Sequence, residues 1–270
     1  MRVAVVIPAY QEAATLRGIV QRTLAHFAAV YVVDDGSTDG TAATVADLPV
    51  HLLRHAQNEG KAASLWDGFA AALAAGAELV VTLDGDGQHA PEDIARMVAA
   101  ARLHPDRIVI AARLRDRRTA PRARRMGNAI ADFSLSWAAG HPIVDSQSGQ
   151  RAYPAAVLRK LLRDDTLRRA RAARFVLESE ILIAAAAHGF KTAAIPIATV
   201  YWPAGRRSHF RPFRDAGHIV RMVARRLLAR GLNPRGLWRY ATERPLIVRN
   251  DGAAGDLPIE NVAGPVSRHG

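Results

Sequence analysis

The chain contains no cysteine, which excludes disulfides, thiolate metal centres and thiol nucleophiles and makes the reducing cytoplasm the expected compartment. No stretch approaches the roughly 18–20 uninterrupted apolar residues that a bilayer-spanning helix needs. The first residues read as a strand, not as a charged-then-apolar leader, so a secretory signal is not expected. Aromatic residues make up 6% of the chain, too few to form a stacking ladder along its basic stretches. Lysine is scarce too: Lys61, Lys160 and Lys191 are the only three among 37 basic residues.

Arginine and apolar residues fill the space those absences leave. The 270 residues are 49% hydrophobic, enough for one large α/β domain with a sizeable core. Net charge is +12, and arginine clusters between Arg113 and Arg125, Arg163 and Arg174, and Arg206 and Arg230. Such a charge first suggests nucleic acid. The chain has no recognition-helix module and no RNA-binding signature, so no nucleic-acid partner is expected, and an anionic membrane surface fits better.

Chemistry concentrates where apolar runs end. Val3 to Ile7 is a mostly β-branched run suited to a strand buried on both faces, and it ends in Pro8-Ala9-Tyr10-Gln11-Glu12. A helical pattern follows from about Thr15. Val30 to Val33 ends in Asp34-Asp35-Gly36-Ser37-Thr38-Asp39-Gly40-Thr41, after which another helix is expected. Leu79 to Leu83 ends in Asp84-Gly85-Asp86-Gly87-Gln88-His89. Repeated strand, polar loop and helix predict a sheet of parallel strands with right-handed crossovers. Ligands of such sheets bind outside the carboxyl ends of the strands, so three carboxylate-bearing loops converge on one edge. In extended chain Asp84, Asp86 and Gln88 point the same way, and two carboxylates with a substrate phosphate suit Mg2+ or Mn2+. Each loop alone is also an ordinary Asp/Gly turn; the convergence favours a shared site.

Pro8-Ala9-Tyr10-Gln11-Glu12, Val33 to Thr41, Asn58-Glu59-Gly60-Lys61 and Asp84 to His89, in that order, resemble the family 2 glycosyltransferases. Within them the likeness is to the polyprenyl-phosphate sugar transferases, the group of dolichol-phosphate mannose synthase and its bacterial relatives, over roughly residues 1–230. The resemblance implies a GT-A (Rossmann-like) fold, a mostly parallel central sheet flanked by helices with a C-terminal amphipathic helix. It also implies a nucleotide-diphosphate sugar donor, Mg2+ or Mn2+, and inverting transfer. Pro8, Tyr10, Glu12, Val33 and Asp35 match positions around the base and ribose, and Gly85 lies beside the donor. Asp84, Asp86 and Gln88 match the metal and diphosphate motif, and Arg113 the basic residue after the next strand, Arg107–Ala111. Carboxylates accept well from ribose hydroxyls, which agrees with Glu12 and Asp35. Lys61, between Gly60 and the helix Ala62–Ala74, either reaches phosphate or caps the site.

Asp145 to Pro154 is similar to the family's acceptor loop, with Gln150 where an aromatic is usual. Ser148, Gly149 and Arg151 are the candidate acceptor contacts; an ordinary Ser/Gly turn before a helix Ala155–Leu162 explains the same residues. Glu178 and Glu180 open a further helix, where acidic residues are favoured in any case. With a hydroxyl acceptor, Glu180 or Asp145 is the candidate general base; with a lipid phosphate none is needed. Asp86 is the principal catalytic candidate through the metal. After the extended run Ala193–Val200, Arg206, Ser208 and His209 resemble a basic segment that closes over the donor phosphates, although a solvated basic linker reads alike.

In the helix Asp215–Gly231, Ala216, Ile219, Val220, Val223 and Leu227 share one arc while His218, Arg221 and Arg225 share the opposite one. That is the pattern of an interfacial helix on acidic lipid and equally of a helix packed on the domain. Ile130–Val144 is apolar enough to touch lipid and is read chiefly as core. The expected organisation is a catalytic domain over 1–235, with its donor half at about 1–115 and acceptor half at about 116–235, then a mobile extension over 236–270. The expected activity is metal-dependent transfer to a lipid-linked or amphiphilic acceptor at the cytoplasmic membrane face. A sugar-1-phosphate nucleotidyltransferase is the enzyme rival, disfavoured because the loop after the first strand has no glycine. A binding protein that has lost catalysis is disfavoured by the intact Asp84 and Asp86.

Overall fold

The computed structural model describes residues 1–114, 122–170, 177–198, 212–229 and 231–249. Strands are β1 (Val3–Ala9), β2 (Ala29–Asp34), β3 (His51–Arg54), β4 (Leu79–Thr82), β5 (Arg107–Ala112), β6 (Arg151–Pro154) and β7 (Lys191–Pro196). Helices are α1 (Leu16–Leu24), α2 (Lys61–Ala74), α3 (Asp93–Leu103), α4 (Arg122–Ala139), α5 (Ala155–Leu161), α6 (Asp165–Ala170), α7 (Leu177–Ala187), α8 (Pro212–Ala229) and α9 (Pro234–Thr242).

The strands form one sheet in the order β3-β2-β1-β4-β6-β5-β7. Every pairing is parallel except those of β6, which runs antiparallel between β4 and β5. Alternation along the strands divides the core. Val6, Val33 and Val80 join α2, α5 and α7 on one face, while Val5, Val32 and Val81 join α1 and α3 on the other. Gly68 lets α2 lie flat on the sheet, because a Cβ there would collide with the Val6 Cγ1 methyl.

Two expectations about elements change. The helix expected after Thr41 is a single 3-10 turn, Ala42–Val45, followed by the edge strand β3. Pro49 leaves too few residues to repay helix nucleation. The expected mobile extension over 236–270 begins inside α9, and residues 246–248 lie against β7, where Ala194 N–H donates to Leu246 O (2.9 Å) and Val248 N–H to Ala194 O (2.8 Å). Residues 250–270 of that segment lie outside the described residues.

Of the apolar arc on α8, read equally as lipid-facing or as packed on the domain, Val223 and Leu227 are buried, with Met222 beside them, in the same cluster as Leu182 and Ile183 of α7. Arg221 and Arg225 remain exposed. Packing on the domain therefore accounts for the described part of that arc, apart from Val220, which is exposed.

The order of strands fixes where a ligand can go. From β1 the chain winds outward to β2 and β3, then returns to place β4 on the other side, so β1 and β4 flank a topological switch point. Their carboxyl ends deliver Pro8–Glu12 and Asp84–Asp86 to one crevice. Because β6 is antiparallel, its amino end lies at that same rim: Arg151 pairs with Thr82, at the end of β4. The loop 145–150 thereby reaches the crevice.

Candidate active site

The loops after β1 and β2 are laced together. Gln11 takes the left-handed conformation (φ 57°), and its Oε1 accepts from the Thr38 (3.2 Å) and Asp39 (3.1 Å) N–H groups. Its own N–H donates to Ser37 Oγ, at 3.0 Å, while the Glu12 N–H donates to Thr41 Oγ1, at 2.9 Å. The Thr15 hydroxyl donates to Gly85 O (2.7 Å) and lies 3.2 Å from Glu12 Oε2, which ties the Glu12 turn to the acidic loop after β4.

Several expected donor contacts have other work. Pro8 and Val33 are buried, Val33 in the core against α2. The buried Asp35 carboxylate accepts from Glu59 N–H (2.9 Å) and Gly60 N–H (2.8 Å) and lies 2.8 Å from His55 Nδ1. It shapes the loop that starts α2. Tyr10 and Glu12 remain half-buried at the end of β1.

Lys61 opens α2 and points its ammonium at the acidic loop, 2.7 Å from Asp84 Oδ1 and 3.3 Å from Glu178 Oε2. Burial opposes its charge, but the carboxylates of Asp84 and Glu178 outweigh that and raise its pKa. Asp84 moves the other way: burial opposes ionisation, and the Lys61 ammonium more than offsets it, so its pKa falls. Burial and then the neighbouring Asp84 charge raise the pKa of Asp86. Asp86 Oδ1 accepts the Gln88 N–H at 2.9 Å, while the Gln88 side chain is exposed. The expected third ligand thus acts through its backbone here.

The loop before β6 presses on that cluster from the other side. A Cβ on Gly149 would strike Asp84 Oδ2 and come within 3.0 Å of Lys61 Nζ, so any larger residue must displace the pair. Thr82 Oγ1 donates to Gly149 O at 2.7 Å and fixes the approach. The two other expected acceptor contacts are corrected. Ser148 is buried and its hydroxyl donates to Ala111 O. The Arg151 guanidinium is buried and donates to the carbonyls of Ser148, Ser146 and Glu178, bracing the loop and the start of α7. A fully buried cation needs such acceptors, and three of its five N–H groups are turned inward onto these carbonyls.

Asp145 and Glu180 are likewise corrected as bases. Asp145 accepts from the backbone N–H of Arg113 (2.8 Å) and from its Nε (2.8 Å) and Nη2 (2.6 Å). Burial opposes its charge, but Arg113 holds its pKa below the ordinary range. Such a carboxylate is a weak proton acceptor and serves to aim Arg113. Glu180 Oε2 accepts from Arg226 of α8 at 2.7 and 3.0 Å, away from Lys61. Two residues on a helix lie about 200° apart, so Glu178 and not Glu180 meets the site. Arg206, Ser208 and His209 lie outside the described residues.

Besides Glu178, whose motif was visible but whose face was not, the sequence reading missed Asp132. Its carboxylate accepts the Asp145 N–H (3.1 Å) and the Ser146 N–H (2.7 Å), holding the acceptor-side loop from α4. Asp132 is the one acid in an otherwise apolar and basic helix, which was its only signal.

Residues 4–162 match the model of the family described as Glycosyl transferase family 2. The chain is 30% identical over 217 residues to the UDP-N-acetylglucosamine--dolichyl-phosphate N-acetylglucosaminyltransferase of Methanococcus voltae, covering 73% of this chain and 84% of that one. It is 34% identical over 173 residues to the polyprenol monophosphomannose synthase of Mycolicibacterium smegmatis, covering 59% and 64%. Among solved structures, mannosyl-3-phosphoglycerate synthase from Rubrobacter xylanophilus superposes with a TM-score of 0.59 at 18% identity, over 99% of this chain and 88% of that one. Glucosyl-3-phosphoglycerate synthase from Mycobacterium tuberculosis, in complex with Mn2+, UDP-glucose and phosphoglyceric acid, superposes with a TM-score of 0.52 at 20% identity, over 84% and 79%. These likenesses establish the GT-A fold.

Proposed function

Because the chain belongs to glycosyl transferase family 2, we propose that this glycosyltransferase moves a sugar from a nucleotide-diphosphate donor to a polyprenyl phosphate or similar amphiphilic acceptor, with inversion, at the cytoplasmic face of a membrane. The observation that carries the reading is the meeting of Asp84, Asp86 and Lys61 at the β1/β4 switch point, beneath the laced loops after β1 and β2.

The residues present fit a hard divalent cation. Two adjacent carboxylates, one with a raised pKa beside the other's charge, are stabilised by a cation between them. No group of three or more ligating side chains occurs among the described residues. A two-carboxylate set completed by diphosphate and water suits Mg2+ or Mn2+. When bound, the ion supplies charge neutralisation to the departing diphosphate.

The chain's own residues do the remaining work. Lys61 keeps Asp84 ionised and adds positive charge where phosphate oxygens arrive. Glu178 holds Lys61 from the acceptor side, and Gly149 brings no side chain to crowd Asp84 and Lys61. Arg113, oriented by Asp145, presents a fixed guanidinium near the end of β5, a group suited to a phosphate oxygen. One relative is named as a dolichyl-phosphate N-acetylglucosaminyltransferase and another as a polyprenol monophosphomannose synthase. A phosphate nucleophile is already ionised, so this route needs no general base, in keeping with Asp145 and Glu180 being engaged elsewhere.

The test is transfer by the purified protein from UDP-, GDP- and dTDP-sugars to a water-soluble short-chain polyprenyl phosphate. One donor is expected to give a sugar-phosphate lipid with Mn2+ or Mg2+ and none with EDTA. Intact donor and acceptor throughout the panel would overturn the proposal.

A further inference from the structure

The described residues leave large apolar side chains exposed mainly in one part of the molecule. Apart from Met1, Leu52 and Leu103, every one lies on α4, α8, α9 or the turn between α8 and α9. These helices form one packed group, α4 contacting both others. On α4, Met126 (65% exposed), Ile130 (56%) and Phe133 fall at i, i+4 and i+7, one face of the helix. On α9, Trp238 is 67% exposed.

That exposure is not slack in a loosely held helix. Asn233, in the left-handed conformation, caps α9 by accepting the Gly236 N–H, and its Nδ2 donates to Trp137 O at 2.8 Å. Trp137 Nε1 donates back to Leu232 O at 2.8 Å, and Phe133 meets the Tyr240 ring edge-to-face at 5.3 Å. A Cβ on Gly236 would strike Asn233 Nδ2. The inner side of α9 is thus pinned to α4 while the indole two residues on stands in water.

Charge names the occupant. Exposed Arg125 adjoins Met126, exposed Arg225 precedes Leu228 by one turn, and exposed Arg235 and Arg239 flank Trp238. A second copy of this chain would set arginine against arginine. A nucleic acid would gain nothing from Met126, Ile130 and Leu228. Aromatic and aliphatic side chains ringed by arginine match the boundary of an anionic bilayer, where indole sits at headgroup depth.

We infer that the outer surface of α4, α8 and α9, and not the inward-packed arc of α8, is the face that docks on an anionic lipid bilayer. The inference rests on the membrane reading above and gives it a location. The same helices hold the site from behind, α4 through Asp132 on the 145–146 loop and α8 through Arg226 on α7.

Cosedimentation with phosphatidylcholine vesicles, with and without phosphatidylglycerol, tests it on the full chain. Wild-type protein should bind the anionic vesicles, and the double variant I130S/W238S should lose at least tenfold in affinity with an unchanged melting temperature. The control L103S, at an exposed leucine elsewhere, should bind as wild type. Equal binding by the double variant overturns the location. So does binding of I130S/W238S lost only together with self-association, or a wild-type preference for single-stranded DNA over vesicles. Turnover on the water-soluble acceptor is measured in parallel. If it is retained while vesicle binding fails to follow the substitutions, the docking surface is wrong and the enzymatic reading stands.

Discussion

The two acidic residues at the start of α7 separate sharply, because one faces Lys61 and the other Arg226. Glu178→Gln should lower kcat at least tenfold by loosening Lys61 at the site, whereas Glu180→Gln should lower the melting temperature with kcat little changed. Steady-state kinetics and thermal melts of both variants decide this; the reverse pattern would restore Glu180 to the reaction. Gly149→Ala places a methyl group on the Asp84 carboxylate. It should cut turnover by about 100-fold, the order expected of a misplaced reacting group. Asp86→Asn should cost a similar factor or more and abolish the metal dependence of donor turnover. A metal titration of the variant checks it, and unchanged turnover would remove the ion from the mechanism.

Elements hold these residues in place through close approaches that tolerate no added volume. α2 carries Lys61 at its first position and makes a close approach to the sheet at Gly68, against Val6. Gly68→Ala should destabilise the fold by about 1–3 kcal/mol through overpacking against Val6, measured by denaturant unfolding. It should also shift Lys61 and raise KM for the donor. The pair Glu180–Arg226 joins α7 to α8, and removing Arg226 leaves a mostly buried carboxylate without its partner. Arg226→Ala should therefore cost more stability than Arg225→Ala, whose side chain is exposed.

For the whole molecule, pH sensitivity lies partly outside the site. His141 is buried between the end of α4 and β7, its Nε2 3.2 Å from Thr192 Oγ1, and burial with nearby Lys191 and Arg107 lowers its pKa to about 4. The unfolded chain takes up this proton near pH 6.5, while the folded chain resists it until about pH 4. Stability should therefore fall as pH drops through that window, by about 3 kcal/mol if His141 acted alone. Urea unfolding at pH 7 and pH 4.5 checks this, and His141→Asn should flatten the difference.

Local sequence determined strands β1, β2, β4 and β5, the order of the acidic loops and the edge on which they meet. β-Branched runs and the Asp-Gly turns after them need no distant partner to take those shapes, and the family follows from the same segments. Orientation was decided only by the fold. Whether Glu178 or Glu180 faces Lys61, whether Arg151 is a ligand or a brace, and whether the apolar arc of α8 meets lipid or core depend on what packs alongside. A helix carries its periodicity in its own residues, but which arc is covered is set by neighbours far away in the chain. The short strand β6 shows the same limit: its direction follows from the gap between β4 and β5, and that direction brings Gly149 to Asp84.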